Sequence, residues 1–150
     1  MDDIDRRILN ALQTDASLSN HDLAALVHVS APTCLRRVRA LRAAGVIERE
    51  VALVDPAKVG AGLSAIIEIS LDVQTVEAQA AFERLVLADA AVQQVYRVAP
   101  GPDFVLIVQV PDMAAYHALA HRLFAAHTNV RNVKTYFSTL RSKFEPRIAL

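Results

Sequence analysis

Apolar residues recur with a helical period along the first third of the chain. Ile4, Ile8, Leu9 and Leu12 fall on one side of a helix over the first 14 residues, which Asp2 or Asp3 can cap. The pattern lapses over Asp15–Leu18. Ser19-Asn20-His21-Asp22 then has the Ser-x-x-acid spacing that satisfies the free N–H groups at a helix start, and Leu23, Ala24, Leu26 and Val27 supply that helix's apolar side. His28-Val29 form a turn. Ser30 caps a third helix, with Pro32 in its first turn, where a missing N–H leaves no bond unmade. Cys34, Val38 and Leu41 stand at i, i+4 and i+7 and form its buried stripe, so Cys34 is expected as a small core hydrophobe. Gly45 sits where a helix-ending glycine belongs, and Val46–Leu53 reads as extended chain folding back as a wing.

From Ser64 onward strand and helix periods alternate. Ser64–Leu71 reads as a strand, Thr75–Leu87 as a helix, Val92–Ala99 and Phe104–Val110 as strands, Asp112–Ala126 as a helix and Val133–Ser142 as a strand. The order βαββαβ is that of the ferredoxin-like split unit. Phe104–Val110 is apolar on both faces and Ala65–Ile69 nearly so, whereas two helices cover only one face of a four-stranded sheet. An apolar face left over marks an interface, so the uncovered side is expected to meet a second copy of the chain. Asp55-Pro56 and Gly60-Ala61-Gly62 crowd turn residues between the two patterns. The expected fold is α+β: an N-terminal winged helix-turn-helix domain over residues 1–54, a linker over 55–62, and a C-terminal ferredoxin-like βαββαβ domain over 63–150.

The 150 residues carry 16 Lys+Arg against 16 Asp+Glu, and 53% are hydrophobic. That suits one medium domain or two small ones and excludes a disordered-type composition. The longest stretch free of Asp, Glu, Lys and Arg, Leu23–Leu35, contains His28 and Pro32 and falls short of the roughly 20 apolar residues of a membrane span. Met1-Asp2-Asp3 is acidic where a secretory leader is basic and then apolar, and the single Cys34 allows no internal disulfide, so a cytoplasmic location is expected.

Zero net charge removes the global positive field usual in nucleic-acid binders, but the distribution restores a local one. Residues 1–60 hold eight basic and eight acidic side chains, yet Ala31–Ala44 holds Arg36, Arg37, Arg39 and Arg42 with no acid. At about 100° per residue, the face opposite the buried stripe carries Pro32, Arg36, Arg39 and Ala43, flanked by Thr33, Leu35 and Arg42. Arg37 lies nearer the core edge, where it either joins that face or braces the domain through an acid such as Asp5. A short helix, a turn and a second helix presenting arginine form the helix-turn-helix layout, whose latter helix enters the major groove. Ser30, Pro32, Thr33, Arg36, Arg37 and Arg39 are therefore candidate contacts to double-stranded DNA, Arg36 and Arg39 foremost because a guanidinium reads guanine bidentately. His117 and His121 stand at i, i+4 with His127 nearby, but no third ligand has metal-site spacing. With no phosphate loop, nucleophile elbow or zinc motif elsewhere, no cofactor or metal is expected.

Asp5-Arg6-Arg7-Ile8-Leu9 with Leu12-Gln13-x-Asp15, Leu23-Ala24, Val29-Ser30-x-x-x-Cys34-x-Arg36-Arg37-Val38-x-x-Leu41, Gly45-Val46-Ile47 and Leu53-Val54-Asp55-Pro56-x-x-x-Gly60 follow one another in a familiar order and spacing. Along essentially its whole length the chain resembles the Lrp/AsnC, or feast/famine, transcription regulators. Asp103-Phe104 resembles the family's Asp-aromatic pair after a glycine-bearing loop, and Thr135 with Lys143 resembles its last strand. The resemblance implies a sequence-specific DNA-binding regulator of amino-acid-related metabolism and not an enzyme. It also implies a homodimer assembling into a higher oligomer, with tetramers, octamers and open helices all left open, and a small-molecule effector, a free amino acid, held between neighbouring dimers.

The resemblance places that effector around Gly101, Asp103, Phe104, Thr135, Tyr136 and Ser138. Asp103 would face its ammonium group, and the Gly101 amide with Thr135 or Ser138 its carboxylate; the alternative is that Asp103 merely caps the turn into its strand. Two departures stand out. Pro100 and Pro102 replace a glycine and an aromatic residue and stiffen the loop, and Asn129 replaces a glycine, with a side chain that tolerates the left-handed conformation. Siroheme decarboxylases, which process tetrapyrroles, resemble the same architecture, and an interaction module without DNA binding is a third reading. The arginine-rich helix and the lack of a His/Arg/Tyr cluster in the second domain favour the regulator.

Overall fold

The computed structural model describes residues 1–150. The chain forms two compact units, Met1–Leu53 together with Lys143–Leu150, and Val54–Ser142.

In the first unit, α1 (Asp3–Thr14) begins on Asp2, whose carboxylate accepts the Asp5 N–H at 3.0 Å while the Asp5 carboxylate accepts the Asp2 N–H at 3.1 Å. This reciprocal cap satisfies two free donors and sets negative charge at the positive end of the helix dipole. α2 (Asn20–Leu26) starts where the Ser19 hydroxyl accepts the Asp22 N–H at 3.1 Å. His28 makes the turn with a left-handed φ of 58°, and α3 (Ala31–Ala43) follows. Ile8, Leu9, Leu23, Val27, Cys34, Val38 and Leu41 are buried together as one core; burial raises the Cys34 thiol pKa and so disfavours the reactive thiolate. Gly45, at φ 70°, ends α3: its N–H reaches Arg42 O and the Val46 N–H reaches Leu41 O, both at 3.0 Å. Those two bonds are the Schellman closure, which satisfies otherwise orphaned carbonyls.

The wing expected over Val46–Leu53 does not form as a strand. Within the single chain no strand lies beside this segment, and it is irregular there. It is tied to α3 by Arg42 Nη2, 2.5 Å from Glu50 Oε1. Lys143–Leu150 also pack within this unit, although the sequence pattern assigns them to the second domain.

The second unit opens with a single 3-10 turn over Pro56–Val59, capped by Asp55 and closed at Gly60, φ 75°. It continues as β1 (Leu63–Leu71), α4 (Val76–Leu87), β2 (Val92–Arg97), β3 (Phe104–Val110), α5 (Met113–Ala120) and β4 (Val130–Phe137). The strands form one antiparallel sheet in the order β2-β3-β1-β4, the ferredoxin-like arrangement. The helix expected to run to Ala126 widens over His121–Ala125, where the Ala126 N–H reaches back five residues to His121 O at 3.0 Å. β4 begins and ends earlier than Val133–Ser142. Its last ladder bond, Ser138 N–H to Ser64 O, lies at the start of β1, beyond which no partner strand extends.

Alternation along β1 and β3 sends Ala65, Ile67, Ile69 and Leu71, with Phe104, Leu106, Val108 and Val110, onto the face covered by Phe82 and Val86 of α4 and Tyr116 and Leu119 of α5. The Phe82 and Phe104 rings meet at a tilt with 5.1 Å between centroids, a pairing that adds about 0.5–1.5 kcal/mol to simple burial. The opposite face has no covering layer within the chain. Two cross-strand rows run over it, Tyr96–Val105–Glu68–Lys134 and Gln94–Ile107–Ile66–Tyr136, and Ile66, Tyr96 and Tyr136 are 41–51% exposed.

Candidate nucleic-acid interface and effector site

α3 owes its position to its apolar stripe, since burial of Cys34, Val38 and Leu41 turns the opposite side outward. Pro32, Arg36 and Arg39 are exposed there and Thr33 is half-buried. The Ser30 hydroxyl donates to Thr33 Oγ1 at 2.9 Å and makes no cap hydrogen bond to the helix backbone, which leaves two hydroxyls at the helix start. Neither Arg36 nor Arg39 forms an ion pair within the chain. Their guanidinium groups are free for an anionic partner.

Arg37 is committed elsewhere. Its Nη1 lies 2.8 Å from both Asp5 Oδ1 and Asp2 Oδ2, and its side chain is only 21% exposed. The Asp5 backbone N–H and the Arg37 guanidinium hold the Asp2 carboxyl below its usual range, and the same two acids push the Arg37 pKa up. Arg37 thus pins α3 to the capped start of α1, which is the bracing contact that the sequence left open. Leu35, 38% exposed on the outward side of α3, is an apolar side chain the charge-based reading passes over; a thymine methyl is a natural partner for such a group.

The six residues assigned to the effector do not converge within one chain. Phe104 is fully buried and faces the helices. Asp103 Oδ2 accepts the Leu71 N–H at 2.7 Å and Gln74 Nε2 at 3.2 Å, and its own N–H reaches Ile69 O at 2.8 Å. Of the two readings of Asp103, the structure shows the turn-fastening one. Thr135 Oγ1 meets the Tyr116 hydroxyl at 2.6 Å on the helix side, whereas the neighbouring Tyr136 points to the open face, where Lys134 Nζ lies 5.1 Å from its ring centroid. Asp103 borders the Ile69 end of β1 and Ser138 the Ser64 end, roughly 16 Å apart at ~3.3 Å per residue. Gly101 is exposed at φ 118° in the loop before β3. A free amino acid cannot span Asp103 and Ser138 in a single copy.

Two contacts at the Asp103 end escape sequence reasoning. Asn129 does not take the left-handed conformation that its place in the pattern suggested; its amide instead bridges Val73, accepting the Val73 N–H at 2.7 Å and donating to Val73 O at 3.0 Å. Gln74 joins Asp103 from the same β1–α4 turn. Local spacing gives no signal for either, because the partners lie far apart in sequence. His127 stacks edge-on against Phe82 at 5.6 Å, apart from any metal-ligating group of three or more.

An AsnC-type helix-turn-helix domain matches residues 1–42, and the Lrp/AsnC ligand binding domain matches residues 64–148. The chain belongs to the Lrp/AsnC family. An uncharacterized HTH-type transcriptional regulator of Haemophilus influenzae is 35% identical over 150 residues, covering 100% of this chain and 89% of its own. The leucine-responsive regulatory protein of Escherichia coli is 35% identical over 136 residues, 91% of this chain and 83% of that protein. Among solved structures, an AsnC family transcriptional regulator from Agrobacterium tumefaciens superposes with a TM-score of 0.92 at 35% identity, covering 99% of this chain and 96% of that one. A Neisseria meningitidis transcriptional regulator in complex with L-Met superposes at 0.91 with 27% identity and the same coverage. This Lrp/AsnC protein is accordingly a transcriptional regulator with a DNA-binding helix-turn-helix and a ligand-binding domain. The relatives are regulators, which removes the decarboxylase reading. No helix is long and apolar enough to cross a membrane.

Proposed function

We propose that the protein is a sequence-specific regulator that binds operator DNA as a homodimer through α3 and changes its assembly in response to a free amino acid. The observation that carries this reading is the pair of unengaged guanidinium groups, Arg36 and Arg39, on the outward face of α3 beside the Ser30 and Thr33 hydroxyls. In this reading Arg36 and Arg39 contact base edges and phosphates, Ser30, Pro32 and Thr33 line the helix start, and Arg37 acts only by holding α3 in place.

The uncovered sheet face, with Ile66, Ile107, Tyr96 and Tyr136, supports dimerisation. Burying such a face gains about 25 cal/mol per Å² of apolar area. The separation of Asp103 from Ser138 supports an effector pocket made by more than one copy, so ligand binding and assembly are linked. Only a ligand with different affinity for two assembly states shifts their balance. The amino-acid class rests on the family's ligand-binding domain and on the L-Met bound to the Neisseria relative.

The test is selection of bound fragments from genomic DNA, with and without each of the twenty amino acids, followed by sedimentation under the same conditions. The expected result is a set of near-palindromic sites with half-sites about one helical turn, ~10 bp, or a multiple apart, and one amino acid that alters both occupancy and oligomer size. Enrichment of no sequence would sink the DNA assignment. Occupancy and size unchanged by every amino acid would sink the effector assignment.

A further inference from the structure

Lys143–Leu150 returns to the helical unit and lies along α1. Gln13 grips it through both ends of its amide: Oε1 accepts the Ile148 N–H at 2.7 Å and Nε2 donates to Ile148 O at 3.0 Å. Asn10, three residues earlier on the same helix face, donates to Leu150 O at 3.3 Å, and Arg147 Nη1 reaches Thr14 Oγ1 at 3.4 Å. The two amides read the tail's backbone much as a neighbouring strand would. Between α1 and the irregular Val46–Leu53 segment runs a groove lined by Leu9, Leu12 and Ile47 together with Pro146, Ile148 and Leu150 of the tail.

The tail is held lightly. Ile148 remains 68% exposed and Leu150 46%, and the hydrogen bonds of Gln13, Asn10 and Arg147 are all solvent-exposed, which suits reversible docking.

We propose that residues 143–150 are a releasable strap on α1. The chain enters the helical unit twice, through the 55–62 linker and through the segment after β4, so a docked strap tethers that unit at two points and a released one at a single point. β4 carries Thr135 and Tyr136, and its end at Phe137 is joined to the strap by five residues, Ser138–Ser142. A change at the end of β4 is therefore passed along the backbone to the helix that Arg37 pins to α3. In a dimer the number of tethers sets how freely the second recognition helix searches for its half-site, and thus how strictly half-site spacing is read. This role rests on the DNA-binding reading above.

Four measurements decide it. Exchange of the Ile148 amide hydrogen is expected to be slowed at least about tenfold in the wild type and to lose that protection in Gln13→Ala. Against the selected operator, a site with a half-turn insertion, ~5 bp, is expected to bind about 100-fold more weakly to the wild type but only about tenfold more weakly to Gln13→Ala or to the chain lacking 143–150. Gln13→Ala added to the shortened chain is expected to change nothing further, because both alterations remove the same interaction. An unprotected Ile148 amide in the wild type refutes docking. Equal spacing discrimination in all forms, with operator binding intact, refutes the strap's role alone; a wild type that selects no DNA refutes the underlying reading and the role together. Mixed dimers of Gln13→Ala and tail-deleted chains have no docked strap if docking is within one chain, and recovery of strict spacing in them would overturn the assignment.

Discussion

Replacing Arg36 or Arg39 with alanine separates base reading from phosphate binding and from bracing. Both side chains are exposed on α3 without an intramolecular ion pair, so truncation removes no structural interaction and the folded state should be unchanged. A bidentate arginine–guanine pair contributes about 1–3 kcal/mol of discrimination, which at 1.4 kcal/mol per decade is roughly 5- to 150-fold per half-site. A dimer loses the pair twice, so the operator affinity should fall by about the square of that factor. An arginine on phosphate behaves differently: affinity drops on all sequences, and the log–log salt slope shrinks by about 0.9 for each phosphate no longer neutralised. Arg37→Ala supplies the contrast. It removes the partner of Asp2 and Asp5, so it should lower the melting temperature of the helical unit and weaken DNA binding without relaxing specificity at any one base pair. The assay is fluorescence anisotropy on the selected operator and on single-base variants, between about 50 and 200 mM salt, alongside thermal unfolding by circular dichroism. Unchanged operator affinity in both Arg36→Ala and Arg39→Ala would refute the assignment. A specificity change in Arg37→Ala with unaltered stability would refute the brace.

Gly45→Ala meets no atom within 4 Å at its new Cβ but keeps φ at 70°, so it should cost the left-handed penalty alone, about 1–2 kcal/mol, read as a lowered urea midpoint of the helical unit. Asp103→Ala should destabilise the second unit by roughly 1.5–3 kcal/mol even without ligand, because Leu71 N–H loses a charged acceptor; denaturation of the apo protein checks this, and a neutral result would reopen Asp103 as a dedicated ligand group. Ile107→Lys, on the open sheet face, should convert the proposed dimer to monomer by sedimentation while leaving helix content intact. Desolvation raises the Asp89 pKa, but its hydrogen bond to Arg122 and the Ala91 N–H outweigh that and hold the carboxyl below 3.8. A carboxyl depressed on folding contributes stability above its unfolded value, so the second unit should weaken as pH falls below about 4, and Asp89→Asn should flatten that acid limb in urea titrations.

The three helices, the caps that start α1 and α2, the βαββαβ order and the outward arginines of α3 were legible in the sequence because each rests on interactions within a few residues: Asp2 with Asp5, Ser19 with Asp22, Gly45 with the Arg42 carbonyl, and the alternation of Phe104–Val110. Periodicity also announced that one sheet face would lack a helical cover. It could not say which of two plausible partners a side chain takes when they lie far apart in the chain. Arg37 meets Asp2 and Asp5 only after α1 and α3 pack, and Asp103 fastens Leu71 only once β1 and β3 pair. The effector residues came from two stretches marked by the family resemblance, Gly101–Phe104 and Thr135–Ser138, and only strand register shows that Thr135 and Tyr136 face opposite sides of the sheet and that Asp103 and Ser138 lie at opposite ends of β1. The missing wing and the returning tail have the same cause. Whether an extended segment becomes a strand or a strap depends on which hydrogen-bonding groups lie beside it, and that is decided by the packing of distant parts of the chain.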